Sequence, residues 1–215
     1  MKPIQMNDEV ARQIAAKLLE IGAIKLNRQN PFTWSSGWKS PVYCDNRLAL
    51  SFPEIRTFVK EALASAIRKY YPGAEYIAGV ATAGIPRGAL VADVLGLPFV
   101  YVRPKPMEHG MGNLIEGKIE KGKKAVLVED LISTGGSSLK AAKEMEAAGF
   151  NVIGMVAIFT YGFEVAEGSF AEANIPLACL CDFDHLLTEA VAKKYLDESQ
   201  LNDVKSWRLN PGNWQ

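Results

Sequence analysis

The residues of this chain best suited to chemistry stand together in AVLVEDLISTGGSS, from Ala125 to Ser138. An apolar run ends in two adjacent carboxylates, Glu129 and Asp130, followed by Leu131, Ile132, Ser133, Thr134, Gly135, Gly136, Ser137 and Ser138. Neighbouring carboxylates repel each other and call for solvent, a cation or hydrogen-bond donors. Small and hydroxylated residues opening a helix present unpaired backbone N–H groups at the positive end of its dipole, which favours a phosphate. Hydroxyls of Thr134, Ser137 and Ser138 add donors without bulk. Taken alone, TGGS reads as a tight strand-to-helix turn with a serine cap. It is not a Walker loop, because no Lys follows the glycines, and GxGxxG is absent. Joined to the acidic pair, the loop suggests a phosphorylated sugar: carboxylates accept from vicinal hydroxyls while a divalent cation reduces their repulsion.

Such a loop needs a frame. YIAGVA (76–81), LPFVYV (97–102), KAVLVE (124–129), NVIGMVAIF (151–159) and PLACLC (176–181) are short continuous apolar runs, the pattern of strands buried on both faces. Helical stretches at 86–95, 136–148 and roughly 163–173 lie between them, so the expected fold is α/β with a doubly wound, mainly parallel sheet. Ligands bind such sheets beyond the carboxyl ends of the strands, where this reading puts Glu129 and Asp130. Ahead of the sheet, Asn7 caps an amphipathic helix carrying Val10, Ile14, Leu18 and Ile21, with Gly22 as its stop. FTWSSGWKSPVYCDN suits the short strands and turns of a small β hood, and Pro53 opens a helix to about Tyr71. A last helix near 183–198 precedes a polar tail holding Trp207 and Trp214. The interval from Arg103 to Gly122 breaks the rhythm with prolines, glycines and clustered cations, as a mobile lid would.

The 215 residues, 48% of them hydrophobic, can bury one substantial core, and 24 basic against 24 acidic residues leave no net charge. That balance argues against a nucleic-acid or membrane partner and for small molecules. Cys44, Cys179 and Cys181 form neither a disulfide framework nor a zinc pattern. With no signal-peptide core and no bilayer-length apolar stretch, a soluble cytoplasmic protein is expected.

VLVEDLISTGGSS resembles the phosphoribosyl pyrophosphate (PRPP) binding motif of type I phosphoribosyltransferases. FTWSSGWKSPVYCDNR (32–47), GVATAGIPRGALVA (79–92) and YVRPKPMEHGMGNLIEG (101–117) are similar to the hood, second sheet loop and catalytic lid of orotate phosphoribosyltransferases, and the resemblance spans nearly the full length. It implies one phosphoribosyltransferase domain over 1–215: a hood of about 1–50 plus the C-terminal segment, a PRPP-binding core of about 51–182 and a lid of about 103–118. The implied reaction joins orotate to PRPP, giving orotidine 5′-monophosphate and pyrophosphate in de novo UMP biosynthesis. Magnesium is implied as cofactor, held by PRPP oxygens with Glu129 and Asp130 as further ligands, and a homodimer whose lid reaches the partner's site.

By the same resemblance Glu129 and Asp130 hold the ribose hydroxyls, the backbone from Leu131 through Ser137 receives the 5′-phosphate, and Ser133 stands near orotate. Arg103, Lys105 and His109 in the lid face the departing pyrophosphate, where negative charge develops. The chain departs from the pattern at Met107, where relatives carry the more important lid Lys, at Thr82 and Ala83 in place of a Tyr-Lys pair, and at Ser35 in place of a hood Lys. The Arg some relatives place after the fourth strand is missing from IFTYGF. Arg47 then stands either as a bidentate clamp for the orotate carboxylate or as half of a surface pair with Asp45. Tyr43 and Phe32 either pack on the orotate ring or form the hood's own small core. His185, at a helix start, takes a packing or capping role. Two rival functions are a phosphoribosyltransferase for another base, against which the hood argues, and a PRPP-binding regulator without turnover, against which the neutral charge argues.

Overall fold

Alternation of buried side chains in the central strands sets the architecture. The structure, a computed structural model, describes residues 4–5, 7–34, 37–105 and 114–214. Strand β1 (Ile4–Gln5) precedes helix α1 (Asp8–Glu20), which the Asn7 side chain caps by accepting from the Val10 amide. The hood follows as β2 (Ile24–Leu26), β3 (Phe32–Thr33), β4 (Lys39–Ser40) and β5 (Val42–Cys44), in two antiparallel ribbons that pair β2 with β5 and β3 with β4. A 3-10 turn, Asn46–Ser51, leads to α2 (Pro53–Tyr70), whose proline occupies a position where a missing N–H costs nothing.

The body then runs β6 (Tyr76–Val80), α3 (Gly84–Leu95), β7 (Phe99–Val102), β8 (Ile115–Glu116), β9 (Lys124–Ile132), α4 (Gly136–Ala147), β10 (Asn151–Thr160), α5 (Glu164–Glu172) and β11 (Leu177–Asp182). Helices α6 (Phe183–Ala192) and α7 (Glu198–Leu209) close the chain. Among the described residues the main sheet has seven strands in the order β1-β11-β10-β9-β6-β7-β8, parallel throughout except where β8 pairs antiparallel with β7. Both faces are covered, as expected for a doubly wound fold. Val126 and Val128 of β9 enter a core shared with α1, α2, α3, α6 and α7, whereas Ala125 and Leu127 enter a second core shared with α4 and α5.

Two expectations need correction. β9 does not stop at Glu129 but pairs with β10 as far as Ile132, opposite Thr160, so the acidic pair lies inside a strand. Leu131 and Ile132 continue its apolar run, and that is why the ladder goes on. The C-terminal segment is two helices rather than one helix and a tail. Tyr195 and Leu196 break off α6, and α7 starts afresh at a capping box in which Asp197 and Gln200 satisfy each other's backbone amides. Trp207 on α7 is fully buried, its indole N–H donating to the Lys39 carbonyl at 2.9 Å, so the end of the chain supports the hood. Arg28 in the hood also pairs with Asp203 of α7.

Candidate active site

Successive residues of a strand point to opposite faces. Glu129 therefore continues the row of Ala125 and Leu127 toward α4, and Asp130 the row of Val126 and Val128 toward the hood. Contacts agree: Ser138 of α4 donates to Glu129 Oε2 at 3.0 Å, and Asn46 beneath the hood donates to the Asp130 carbonyl at 2.7 Å. Glu129 is 6% exposed and folds back so that Oε1 accepts from the Asp130 amide at 3.0 Å. Burial, and next the neighbouring Asp130, raise its pKa well above the ordinary carboxylate value. Ser138, counted above among donors to a phosphate, has its hydroxyl committed to Glu129 instead.

From Ile132 the chain turns through Ser133 and Thr134 to Gly135, which caps α4 at φ +81°, a left-handed conformation that glycine adopts freely. The opening amides of α4, from Gly136 onward, have no partner within the helix. Ser133 is half-buried, while Thr134, Gly136 and Ser137 are exposed. Backbone donors and the positive helix end thus border the carboxylates. Across β6, the 81–84 loop contains a cis peptide between Ala81 and Thr82, and Gly84 opens α3. A Cβ on Gly84 would lie 2.3 Å from the Val128 carbonyl oxygen, so only glycine lets α3 approach β9 this closely.

The hood brings its candidates to the same end of the sheet. Phe32 and Tyr43 face each other, ring centroids 5.5 Å apart. Arg47 holds Asp45 through two hydrogen bonds of 2.6 and 2.9 Å, which push the arginine up and the aspartate down in pKa. The Asp130 charge also reaches Arg47. At the sheet edge, β7 and β8 form the stem of the expected lid: Arg103 donates its amide to the Leu114 carbonyl at 2.7 Å and pairs with Glu116 at 3.1 Å. Lys105 is exposed. His109, with Met107 and Ser35, lies outside the described residues.

Beyond β10, in the segment without an arginine, the nearby guanidinium comes from α7. Arg208 approaches within 3.9 Å of where a Gly162 Cβ would stand, but is paired with Asp184 at 2.9 Å and stacked on Phe183. His185 sits in the first turn of α6, which Asp182 caps. Its imidazole meets Asp182 at 2.8 Å and Asp8 at 3.5 Å, away from the acidic pair. Sequence reasoning missed Asn46 and Arg87, both 1% exposed, which join the hood to β9 from below. Asn46 lies within the quoted CDNR, but neither residue belongs to a periodic pattern that marks it.

Residues 51–175 match the phosphoribosyl transferase domain family. An orotate phosphoribosyltransferase of Cytophaga hutchinsonii is 56% identical over 204 residues, covering 95% of this chain and 98% of that protein. One from Porphyromonas gingivalis is 50% identical over 205 residues, with the same coverage of 95% and 98%. Among solved structures, orotate phosphoribosyltransferase from Aeropyrum pernix superposes with a TM-score of 0.70 at 27% identity, covering 82% of this chain and 98% of that one. Sheet order, acidic pair, helix-capped loop and near full-length similarity agree: the chain belongs to the orotate phosphoribosyltransferases.

Proposed function

We infer that the chain transfers the phosphoribosyl group of PRPP to orotate, giving orotidine 5′-monophosphate and pyrophosphate, a step of de novo UMP biosynthesis. The observation that carries this is the 56% identity over 95% of the chain. In the mechanism proposed here, Asp130 and Glu129 grip the ribose hydroxyls, and amides from Leu131 through Ser137 hold the 5′-phosphate at the start of α4. Ser133 and the pair Phe32 and Tyr43 orient the orotate ring. Arg47 clamps its carboxylate after exchanging Asp45 for it, a swap that keeps a bidentate partner throughout. Arg103, Lys105 and His109 meet the pyrophosphate oxygens as the glycosidic bond breaks, which for Arg103 means leaving Glu116. Positioning and charge stabilisation suffice, and no side chain forms a covalent bond.

Neighbouring carboxylates are hard oxygen donors of the kind magnesium takes, and a few such ligands beside substrate phosphates is its usual arrangement. When bound, the metal supplies charge that stabilises the leaving pyrophosphate. We further propose a homodimer in which the lid of one subunit reaches the other's site, and a cytoplasmic location. No helix among the described residues is long and apolar enough to cross a membrane. The test is to mix protein, magnesium, PRPP and orotate and follow loss of orotate absorbance. Orotate should be consumed in step with PRPP, and uracil, adenine and hypoxanthine should not. Consumption of another base, or PRPP binding without turnover, would replace this reading.

A further inference from the structure

Arg87 stands in the first turn of α3 and is 1% exposed. Its Nη2 donates to the Asn46 carbonyl at 3.0 Å, while Nη1 is buried without a hydrogen-bond partner. Among the described residues no carboxylate comes within ion-pair distance of it. Helical side chains lean toward the helix N-terminus, so the guanidinium reaches back toward the ligand end of the sheet. It meets the 3-10 turn that carries the hood. Asn46 in that turn is also 1% exposed, and its Nδ2 donates to the Asp130 carbonyl at 2.7 Å. Arg87, Asn46 and Asp130 therefore form one buried chain of contacts from α3, through the base of the hood, to the strand that presents the ribose grip.

A buried guanidinium without a paired carboxylate is poor value for stability, and an apolar side chain of similar size serves a core at least as well. Burial pulls its pKa down to about 10 against the opposing charge of Asp130, while Arg56 adds to the fall. The arrangement makes sense if the fork does something besides packing.

We propose that Arg87 is a positioning residue for phosphoribosyl transfer: it holds the Asn46 carbonyl, Asn46 fixes the Asp130 backbone, and hood and ribose grip are thereby held in one register. This rests on the function proposed above. Arg87 touches no substrate. It acts through Asn46 on the carboxylate that must meet ribose hydroxyls while the hood covers orotate.

The test uses the full chain with magnesium, PRPP and orotate, measuring kcat, KM for both substrates and the urea midpoint. Arg87→Met keeps the stem and removes the fork, and its urea midpoint should equal or exceed the parent's. Its kcat should fall by about tenfold or more with KM changed far less, because a misplaced grip costs the transition state. Arg87→Lys should recover part of the rate. Asn46→Ala should lower kcat likewise, and the double variant should be no slower than the slower single one, since both break the same chain. An active parent whose Arg87→Met variant keeps its kcat overturns the inference alone. So does a rate loss that tracks lost stability and is not recovered by lysine, or one that adds fully to Asn46→Ala. Should Arg87→Met fail to fold, an unchanged kcat in Asn46→Ala overturns it. An inactive parent overturns the function and the inference together.

Discussion

Three glycines in similar sequence surroundings should respond to alanine in three different ways. At Gly84 the new Cβ would stand 2.3 Å from the Val128 carbonyl oxygen and 3.5 Å from the Glu129 Cα. That is roughly 1 Å inside ordinary contact, and the obstacle is backbone in the middle of the sheet, so α3 has to move. Overpacking costs about 1–3 kcal/mol, and an obstacle that cannot yield puts Gly84→Ala at the upper end. For a chain of this length the melting temperature should drop by roughly 6–12 °C. Because α3 carries Arg87 and the 81–84 loop, a shift of about 1 Å should also cost roughly 100-fold in kcat. At Gly136 a Cβ meets nothing within 4 Å, and φ is not in the left-handed region. Gly136→Ala should therefore keep or gain stability, by about 0.4–1 kcal/mol, while KM for PRPP rises because the Cβ crowds the phosphate. Gly168, inside α5 with open space around it, is the control: alanine should stabilise by about 0.5–1 kcal/mol and leave the kinetics alone. Thermal melts and steady-state kinetics on the three proteins decide the matter. A parental melting temperature in Gly84→Ala would refute the close-packing reasoning, and a parental KM for PRPP in Gly136→Ala would refute the placement of the phosphate.

Asp130→Asn should leave circular dichroism unchanged and cut turnover by roughly 100-fold or more, and an active variant would contradict the ribose grip. Trp207→Ala removes a fully buried indole and should cost about 3–5 kcal/mol in urea unfolding. The Glu129 pKa is raised, so the folded state holds that proton more tightly than the unfolded chain and loses stability as pH rises from the unfolded value through the folded one. Glu129→Gln should consequently melt higher than the parent at neutral and alkaline pH while binding PRPP less well. For His185 burial acts to lower the pKa, but the hydrogen bond and charge of Asp182, joined by Asp8, outweigh it and leave it raised. Its stabilisation is fully present below the unfolded value of about 6.5 and is lost as pH rises through the folded one, so His185→Gln should lower the melting temperature more at about pH 5.5 than at about pH 9.

The body was legible because strands buried on both faces have no choice but to be apolar throughout, and NVIGMVAIF and PLACLC lie within a residue or so of the observed β10 and β11. The phosphate loop was legible because its residue types and their spacing carry the chemistry directly. Helix α7 was not, since it buries only Val204 and Trp207 and otherwise reads as polar, although Asp197 followed three residues later by Gln200 does signal a helix start. The end of β9 was misplaced because a charged pair looks like a boundary, yet a carboxylate satisfied by Ser138 and an amide can stay inside a ladder. Asn46 and Arg87 owe their positions to contacts 84 and 41 residues away in sequence, and no local pattern records such separations.

All four tryptophans of the chain, Trp34, Trp38, Trp207 and Trp214, belong to the hood or the C-terminal segment, and none falls between residues 51 and 182. Trp34 lies 5.5 Å from Trp207 and 5.0 Å from Tyr161 at the centre of the seam between hood and body. Indole fluorescence therefore reports on that seam alone, while far-ultraviolet ellipticity is dominated by the sheet and helices. In urea, an emission red shift that runs ahead of the loss of ellipticity would mean that the hood lifts away before the body melts, a partial opening the protein can signal without any added label.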